Sequence, residues 1–184
     1  MRKVLIVVDM QNDFITGALG SAEAQAIVPN VVNKIRQYPI EDIYFTLDSH
    51  ANGYLNSLEG KYLPVKHCIR ATDGWQLVPE VRTYHVLADN HIEKHTFGSD
   101  RWYEKFGYQN EGETIEFELC GVCTDICVIS NALILRMLYR NAKITVDASC
   151  CAGVTPEKHA AALEVMKSCQ IDVINEKKIK TPNL

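Results

Sequence analysis

Residues 114–147 read TIEFELCGVCTDICVISNALILRMLYRNAKITVD, and the order of patterns in this stretch decides the fold. Thr114–Cys120 is a strand. Asp125–Arg140 places Ile129, Ala132, Leu133 and Met137 on one helical face, and Ala142–Asp147 is a strand again. Strand, helix and strand in succession make a βαβ unit, whose two strands lie parallel with the helix across one face. The same alternation continues outward. Upstream, Lys3–Asp9 (KVLIVVD) is a continuous apolar strand ending in an acid, and Ala22–Gln37 is a helix that Pro39 helps to end. Ile43–Asp48 (IYFTLD) is a second strand ending in Asp. Pro79–Leu87 reads as a short helix, Asn90–Lys94 as a short strand and Ser99–Phe106 as a helical turn or two. Downstream come a helix with Pro at its start, Pro156–Ser168, and a last strand, Asp172–Asn175. The expected fold is α/β and three-layered, a Rossmann-like, mostly parallel sheet with helices on both faces, in a single domain over 1–184. Residues 49–78 are irregular, punctuated by Gly53, Gly60, Pro64 and Gly74. A stretch of that length inside a compact domain is more often functional than idle.

Composition narrows the partners. The 184 residues are 47% hydrophobic and 23% charged, enough to bury a core without disulfides or a structural metal. Lys+Arg number 19 against 23 Asp+Glu, a net charge of -4, which argues against nucleic acid or an anionic membrane as partner. No apolar run approaches the roughly 20 residues of a membrane span. Asp9 interrupts the apolar start too early for a secretion leader, so this segment reads as a first strand. Seven cysteines, an odd count set mostly in apolar segments, read as buried hydrophobes with one reactive thiol in a cytoplasmic protein. Walker loop, GxGxxG and nucleophile-elbow serine are absent from the sequence, which leaves nucleotide hydrolysis, dehydrogenase and serine-esterase chemistry unsupported.

In a sheet of this type ligands bind outside the carboxyl ends of the strands. That rule gathers Asp9, Asp48, Lys94, the segment Gly121-Val122-Cys123-Thr124-Asp125 and Asp147 on one rim. Cys127 falls in the first turn of a helix beginning near Thr124 or Asp125, where unpaired N–H groups and the helix dipole favour thiolate. Cys123, four residues earlier, is a rival that position alone does not separate from it. A carboxylate such as Asp9 can take a thiol proton and return it to a leaving group, and Lys94 completes an acid–thiol–amine trio. Nothing distinguishes Asp147 from a structural strand terminator. Asp48-Ser49-His50 directs a carboxylate and an imidazole to one side of extended backbone. With His67 they suit a divalent transition metal with open positions, and Glu59 in the same loop offers a fourth ligand. His85, His91, His95 and His159 receive no site role, His85 and His159 being read as helical.

Two motifs then carry a resemblance. Val7-Val8-Asp9-Met10-Gln11-Asn12-Asp13-Phe14 resembles the opening motif of the isochorismatase-like cysteine hydrolases, and Gly121-Val122-Cys123-Thr124-Asp125-Ile126-Cys127-Val128 resembles their nucleophile motif, with Lys94 between them. Asp48-x-His50 and His67-Cys68 resemble the nicotinamidase branch. The resemblance implies Cys127 as nucleophile, Asp9 as general acid/base and Lys94 as the third member. It implies a cis peptide at Val122–Cys123 and an oxyanion hole from the backbone N–H groups of Cys123 and Cys127. It implies one divalent ion per subunit, zinc ahead of manganese or iron, on Asp48, His50 and His67, with Glu59 a ligand in only some members. The implied reaction is hydrolysis of nicotinamide to nicotinate and ammonia through a thioester, in NAD salvage, by a homo-oligomer; another small amide or a carbamoyl compound is the alternative substrate. Phe14 is expected to pack on the substrate ring. The chain departs from the branch where a further histidine would stand, offering Tyr54 and Asn56. It also lacks a tryptophan just before the second metal histidine, so Tyr62, or Phe14 alone, is expected to supply the aromatic wall.

Overall fold

The computed structural model describes residues 2–87, 89–107 and 115–176. Six strands, β1 (Arg2–Val8), β2 (Ile43–Asp48), β3 (His91–Lys94), β4 (Ile115–Val122), β5 (Ile144–Ala152) and β6 (Asp172–Ile174), pair in parallel in the order β3-β2-β1-β4-β5-β6. The helices are α1 (Asn12–Ile15), α2 (Ala22–Ile35), α3 (Leu58–Tyr62), α4 (Pro79–Arg82), α5 (Trp102–Phe106), α6 (Ile129–Leu138) and α7 (Pro156–Ser168). Crossovers from β1 run toward β3 and those from β4 toward β6. Right-handed connections therefore set α2 on one face and α6 and α7 on the other. The result is the three-layer α/β fold that the strand–helix alternation predicts. Among the described residues no helix is long and apolar enough to cross a membrane.

The central strand explains why its sequence does not alternate. Val4 to Val8 are all 0% exposed because β1 has a neighbour on each edge and helices on each face. Ser21 caps α2 by accepting from the Ala24 N–H (3.0 Å), and Ala24, Ile27, Val31 and Ile35 form its buried stripe. The order of strands reverses between β1 and β4, and the crevice at their carboxyl ends is the ligand-binding position of such sheets. Gly121 lies at this junction with φ 118; a Cβ there would collide with the Val8 carbonyl, so the close approach of β4 to β1 requires glycine.

Several boundaries differ from the sequence expectations. The helix expected over Asp125–Arg140 is two pieces, a widened π-type turn over Thr124–Val128 and then α6. The turn rotates the stripe: the buried positions are Val128, Asn131, Ala132, Leu135 and Tyr139, while Met137 is 70% exposed. Helix α4 stops at Arg82, leaving His85 outside it, and β4 continues to Val122, while its expected first residue, Thr114, lies outside the described residues. Residues 49–78 are not wholly irregular, since Tyr54–Asn56 and α3 are short helical segments. β5 continues past Asp147 to Ala152, helped by a register shift against β4 between Leu119 and Gly121. Asp147 is therefore inside the strand and not on the rim.

Asp147 has a structural partner set. Its carboxylate accepts from Lys34 on α2 (2.9 Å), from the Ser149 hydroxyl (2.7 Å) and N–H (3.0 Å), and from Asn175 (2.9 Å). Burial pushes this carboxyl up, but the bonds from Lys34, Ser149 and Asn175 outweigh it and hold the pKa below the ordinary carboxylate value. A carboxylate so depressed stabilises the fold above its unfolded pKa and loses that contribution as pH falls through the folded one. Asp147→Ala is expected to cost about 3 kcal/mol at neutral pH in urea unfolding. The gap from the parent chain should shrink as pH drops below the ordinary carboxylate range.

Candidate active site

The rim assembles what the strands deliver. β1 ends at Val8, and Asp9 leaves it with φ 48, a left-handed conformation uncommon for a residue with a Cβ. The turn is held by the Asp9 N–H, which donates to the Thr46 carbonyl (3.2 Å) and hydroxyl (3.1 Å) on β2. That hydroxyl in turn donates to Asp9 Oδ1 (2.6 Å). Lys94, the last residue of β3, places Nζ 2.6 Å from Asp9 Oδ2, 3.5 Å from Cys127 Sγ and 3.5 Å from Asp48 Oδ1. Lys94 thereby bridges the Asp9 carboxylate and the Cys127 sulfur. The expected trio of Asp9, Lys94 and Cys127 is thus in contact, and all three are buried.

The Val122–Cys123 peptide is cis. Beyond it the Cys123 carbonyl accepts from the N–H groups of Ile126 (3.0 Å) and Val128 (3.1 Å), passing over the amide of Cys127 between them. Cys123 is half-buried and Cys127 buried, and the ammonium of Lys94 touches the latter's sulfur. Cys120 and Cys123 have CxxC spacing, but Cys120 is fully buried in β4.

Burial governs the charges. It pushes the Cys127 thiol well above its ordinary value; Lys94 opposes this, while Asp9 and Asp48 add to it. Desolvation in this turn thus opposes the standing thiolate that a helix dipole would favour. Burial also raises Asp9, against the pull of Lys94 and with the push of Asp48. Asp48 goes the other way: burial would raise it, but hydrogen bonds from His50 and His67 and the charge of Lys94 hold it below the carboxylate range.

The second constellation adjoins the first. Asp48, His50, Glu59 and His67 bring one ligand atom each within 4.8 Å of one another. Asp48 Oδ2 lies 2.9 Å from His50 Nε2 and 3.5 Å from His67 Nε2, and Glu59 Oε1 lies 3.7 Å from both imidazoles. Four donors on a tetrahedral ion with bonds of about 2.0–2.1 Å stand about 3.3 Å apart, so the set fits a small divalent cation. His67 gives its Nδ1–H to the Val65 carbonyl (2.8 Å), which leaves Nε2 free to act as a ligand. Glu59 reaches the cluster because Ser57 caps α3 through the Gly60 N–H (2.9 Å), setting Glu59 in its first turn.

Of the aromatic candidates, the Phe14 ring lies 5.5 Å from that of His67, whereas Tyr62 is 85% exposed and is no wall of this site. Tyr54 is buried, 4.7 Å from the His50 ring and 4.9 Å from the His67 ring, and packs the back of the cluster. His95 bonds the Ser49 carbonyl (2.8 Å), and His159 bonds Thr124 of the turn that carries Cys127 (2.7 Å). Both therefore brace the rim, a role their sequence positions do not announce.

The isochorismatase domain profile matches residues 3–177, and the chain belongs to the isochorismatase family of hydrolases. It is 27% identical to a nicotinamidase of Schizosaccharomyces pombe over 213 residues, covering 94% of this chain and 93% of that protein. Among solved structures it matches the nicotinamidase/pyrazinamidase PncA of Bacillus subtilis with a TM-score of 0.77 and 26% identity, over 94% of this chain and 99% of that one. It matches the pyrazinamidase of Pyrococcus horikoshii, solved in complex with zinc, with a TM-score of 0.73 and 26% identity, over 96% and 100% of the two chains.

Sequence reading misses the residues that hold these groups in place. Gln11 is 0% exposed, and its side chain pairs with the main chain of Asp48 from both ends. Its Oε1 accepts from the Asp48 N–H (2.8 Å), and its Nε2 donates to the carbonyls of Asp48 (2.8 Å) and Trp75 (2.8 Å). Asp13 accepts from the Cys68 N–H (2.7 Å), fixing the loop beside His67. The only local signal is the polar run Asp9-x-Gln11-x-Asp13 leaving a wholly apolar strand. Gln11→Ala leaves buried peptide groups unpaired, and a loss of about 3 kcal/mol in denaturant unfolding is expected.

Proposed function

We propose that this chain is a cysteine amidohydrolase that converts nicotinamide to nicotinate and ammonia. The observation that carries the reading is the single ammonium of Lys94 in contact with Asp9, with the Cys127 sulfur and with Asp48 of the four-residue cluster. A thiol, a proton acceptor and a site for a ring anchor are then within one substrate's length. The similarity to nicotinamidases and pyrazinamidases supports the choice of a pyridine-type carboxamide.

In this mechanism Asp9 takes the Cys127 proton, the step that the raised Asp9 favours and the buried thiol needs. The sulfur attacks the carboxamide carbon, and the backbone N–H groups of Cys123 and Cys127 donate to the oxygen as it gains charge. One such donor is worth about 3 kcal/mol of barrier. Lys94 stays beside Asp9 and limits the cost of moving charge in a buried site. Asp9 then returns the proton to the nitrogen, ammonia leaves, and a thioester on Cys127 remains. A water that gives its proton to Asp9 attacks the thioester, releasing nicotinate and restoring the thiol. Phe14 packs on the ring. Asp48, His50 and His67, with Glu59 as fourth, would hold a divalent ion, zinc ahead of manganese or iron, which when bound supplies an anchor for the pyridine nitrogen. The reaction belongs to NAD salvage in the cytoplasm, carried out by a homo-oligomer.

Ammonia release from nicotinamide, measured with and without chelator, tests the reading. The parent chain should turn over and lose activity with its metal, while Cys127→Ala should lose turnover by at least about a thousandfold and keep the metal. Turnover retained by Cys127→Ala returns the nucleophile to Cys123. Release from a carbamoyl compound with none from nicotinamide overturns the substrate. Asp9→Asn should show no thioester burst in rapid mixing, and a normal burst in that variant removes Asp9 from its role.

A further inference from the structure

The turn that carries Cys127 is wider than an α-helical one. The Cys123 carbonyl accepts from Val128, five residues on (3.1 Å), and the Thr124 carbonyl from Ile129. Such widening is frequent at functional sites because it re-aims side chains, and it disturbs the regular ladder of carbonyls. Two side chains from the following turn meet the displaced carbonyls: Ser130 Oγ donates to Ile126 O (2.6 Å), and Asn131 Nδ2 to Cys127 O (2.8 Å).

Asn131 does more than cap. It is 0% exposed, on a helix face otherwise lined by Val128, Ala132 and Leu135. Its Nδ2 also donates to Phe97 O (3.3 Å), and its Oδ1 accepts from the Ser99 N–H (3.2 Å) and the Trp102 indole N–H (2.9 Å). Residues 97–102 continue directly from β3, the strand of Lys94, and β1 and β2 separate β3 from β4 in the sheet. One fully engaged amide therefore ties the peptide of Cys127 to the segment that follows Lys94. A buried primary amide with any of these bonds missing would be a liability, so its retention in an apolar face calls for a function.

We propose that Asn131 is a positioning residue for the nucleophile. Its donation to the Cys127 carbonyl keeps the widened turn in shape, and its bonds to residues 97–102 keep the sulfur in register with Lys94 and Asp9. The inference rests on the reading of Cys127 as the nucleophile but on no particular substrate.

The test is the rate at which iodoacetamide alkylates Cys127, resolved from the other cysteines by peptide mass, together with kcat and KM on nicotinamide. Asn131→Asp keeps the size and the two bonds accepted by Oδ1 but replaces the donor with an oxygen facing two carbonyls. It is expected to alkylate Cys127 about tenfold more slowly, with kcat falling in parallel and KM within about twofold of the parent. Asn131→Thr restores a donor, since a threonine hydroxyl reaches the carbonyl four residues back, and should recover the rate to within about threefold. Parent-like alkylation in folded Asn131→Asp overturns the proposal, as does Asn131→Thr no faster than the Asp variant. If Asn131→Asp does not fold, Trp102→Phe, which removes the indole donor to Oδ1 together with part of a buried ring, should slow alkylation about threefold, and an unchanged rate there overturns it equally. Rapid alkylation of a parent chain that releases no ammonia from nicotinamide removes the nicotinamide reading and leaves this inference standing.

Discussion

An ammonium enclosed by two carboxylates and a thiol is the constraint around which the rest of the rim is organised. Lys94, Asp9 and Asp48 are each less than 5% exposed. Burial limits solvent screening, so each ionisation is decided largely by its neighbours. With one positive charge for two acids, the environment divides the acids. Asp48, bonded by two imidazoles, is held below the ordinary carboxylate range, and Asp9, with a hydroxyl and the shared ammonium, is raised above it, which suits it to take up a proton. Divergent environments for paired titratable groups are how a site assigns acid and base roles. Because Lys94 touches both acids, any charge placed on the imidazole cluster is felt at the sulfur.

The scaffold meets this constraint with main-chain bonds. Asp48 is clamped by Gln11, Asp9 by Thr46 and the loop beside His67 by Asp13, so three parts of the rim are fixed through their own peptides by side chains from other segments. Holding a side chain by its own backbone leaves its functional atoms free. The parallel register of β1 with β4, unbroken from Arg2–Ile115 to Val8–Gly121, then sets Asp9 against the start of the turn that carries Cys127. A slip of one residue would turn both to the wrong face.

The legible part of the site was the part written in local pattern. Apolar runs that end in Asp9, Asp48 and Lys94 mark strand ends, and the carboxyl-end rule places them on one rim. The resemblance, not spacing, separated Cys127 from Cys123. Other features had no local trace. A π-type turn inserts one residue into a helical period, too small a change for a pattern with Met137 in phase by chance to reveal. The run Ala148-Ser149-Cys150-Cys151-Ala152 is small and neutral in character, so β5 seemed to stop at the charged Asp147, whose partner Lys34 lies far away in the chain. Gln11 reads as a motif letter, and only the fold shows that it is bonded to a peptide 37 residues on. Asp48-x-His50 was legible because extended backbone repeats every two residues, while the helical placement of Glu59 was not, since α3 is a single short turn.

The strand order carries a last consequence. Lys94 stands on β3 and Asp9 just past β1, so the two meet only across the intervening strand, a lateral span of about 9–10 Å between backbones. The longest unbranched cationic stem among the amino acids bridges that gap over Asp48. A shorter amine would fall short, and a guanidinium would bring a plane where a point is wanted. The geometry of the sheet, more than the chemistry of the amide, dictates which basic side chain occupies this corner.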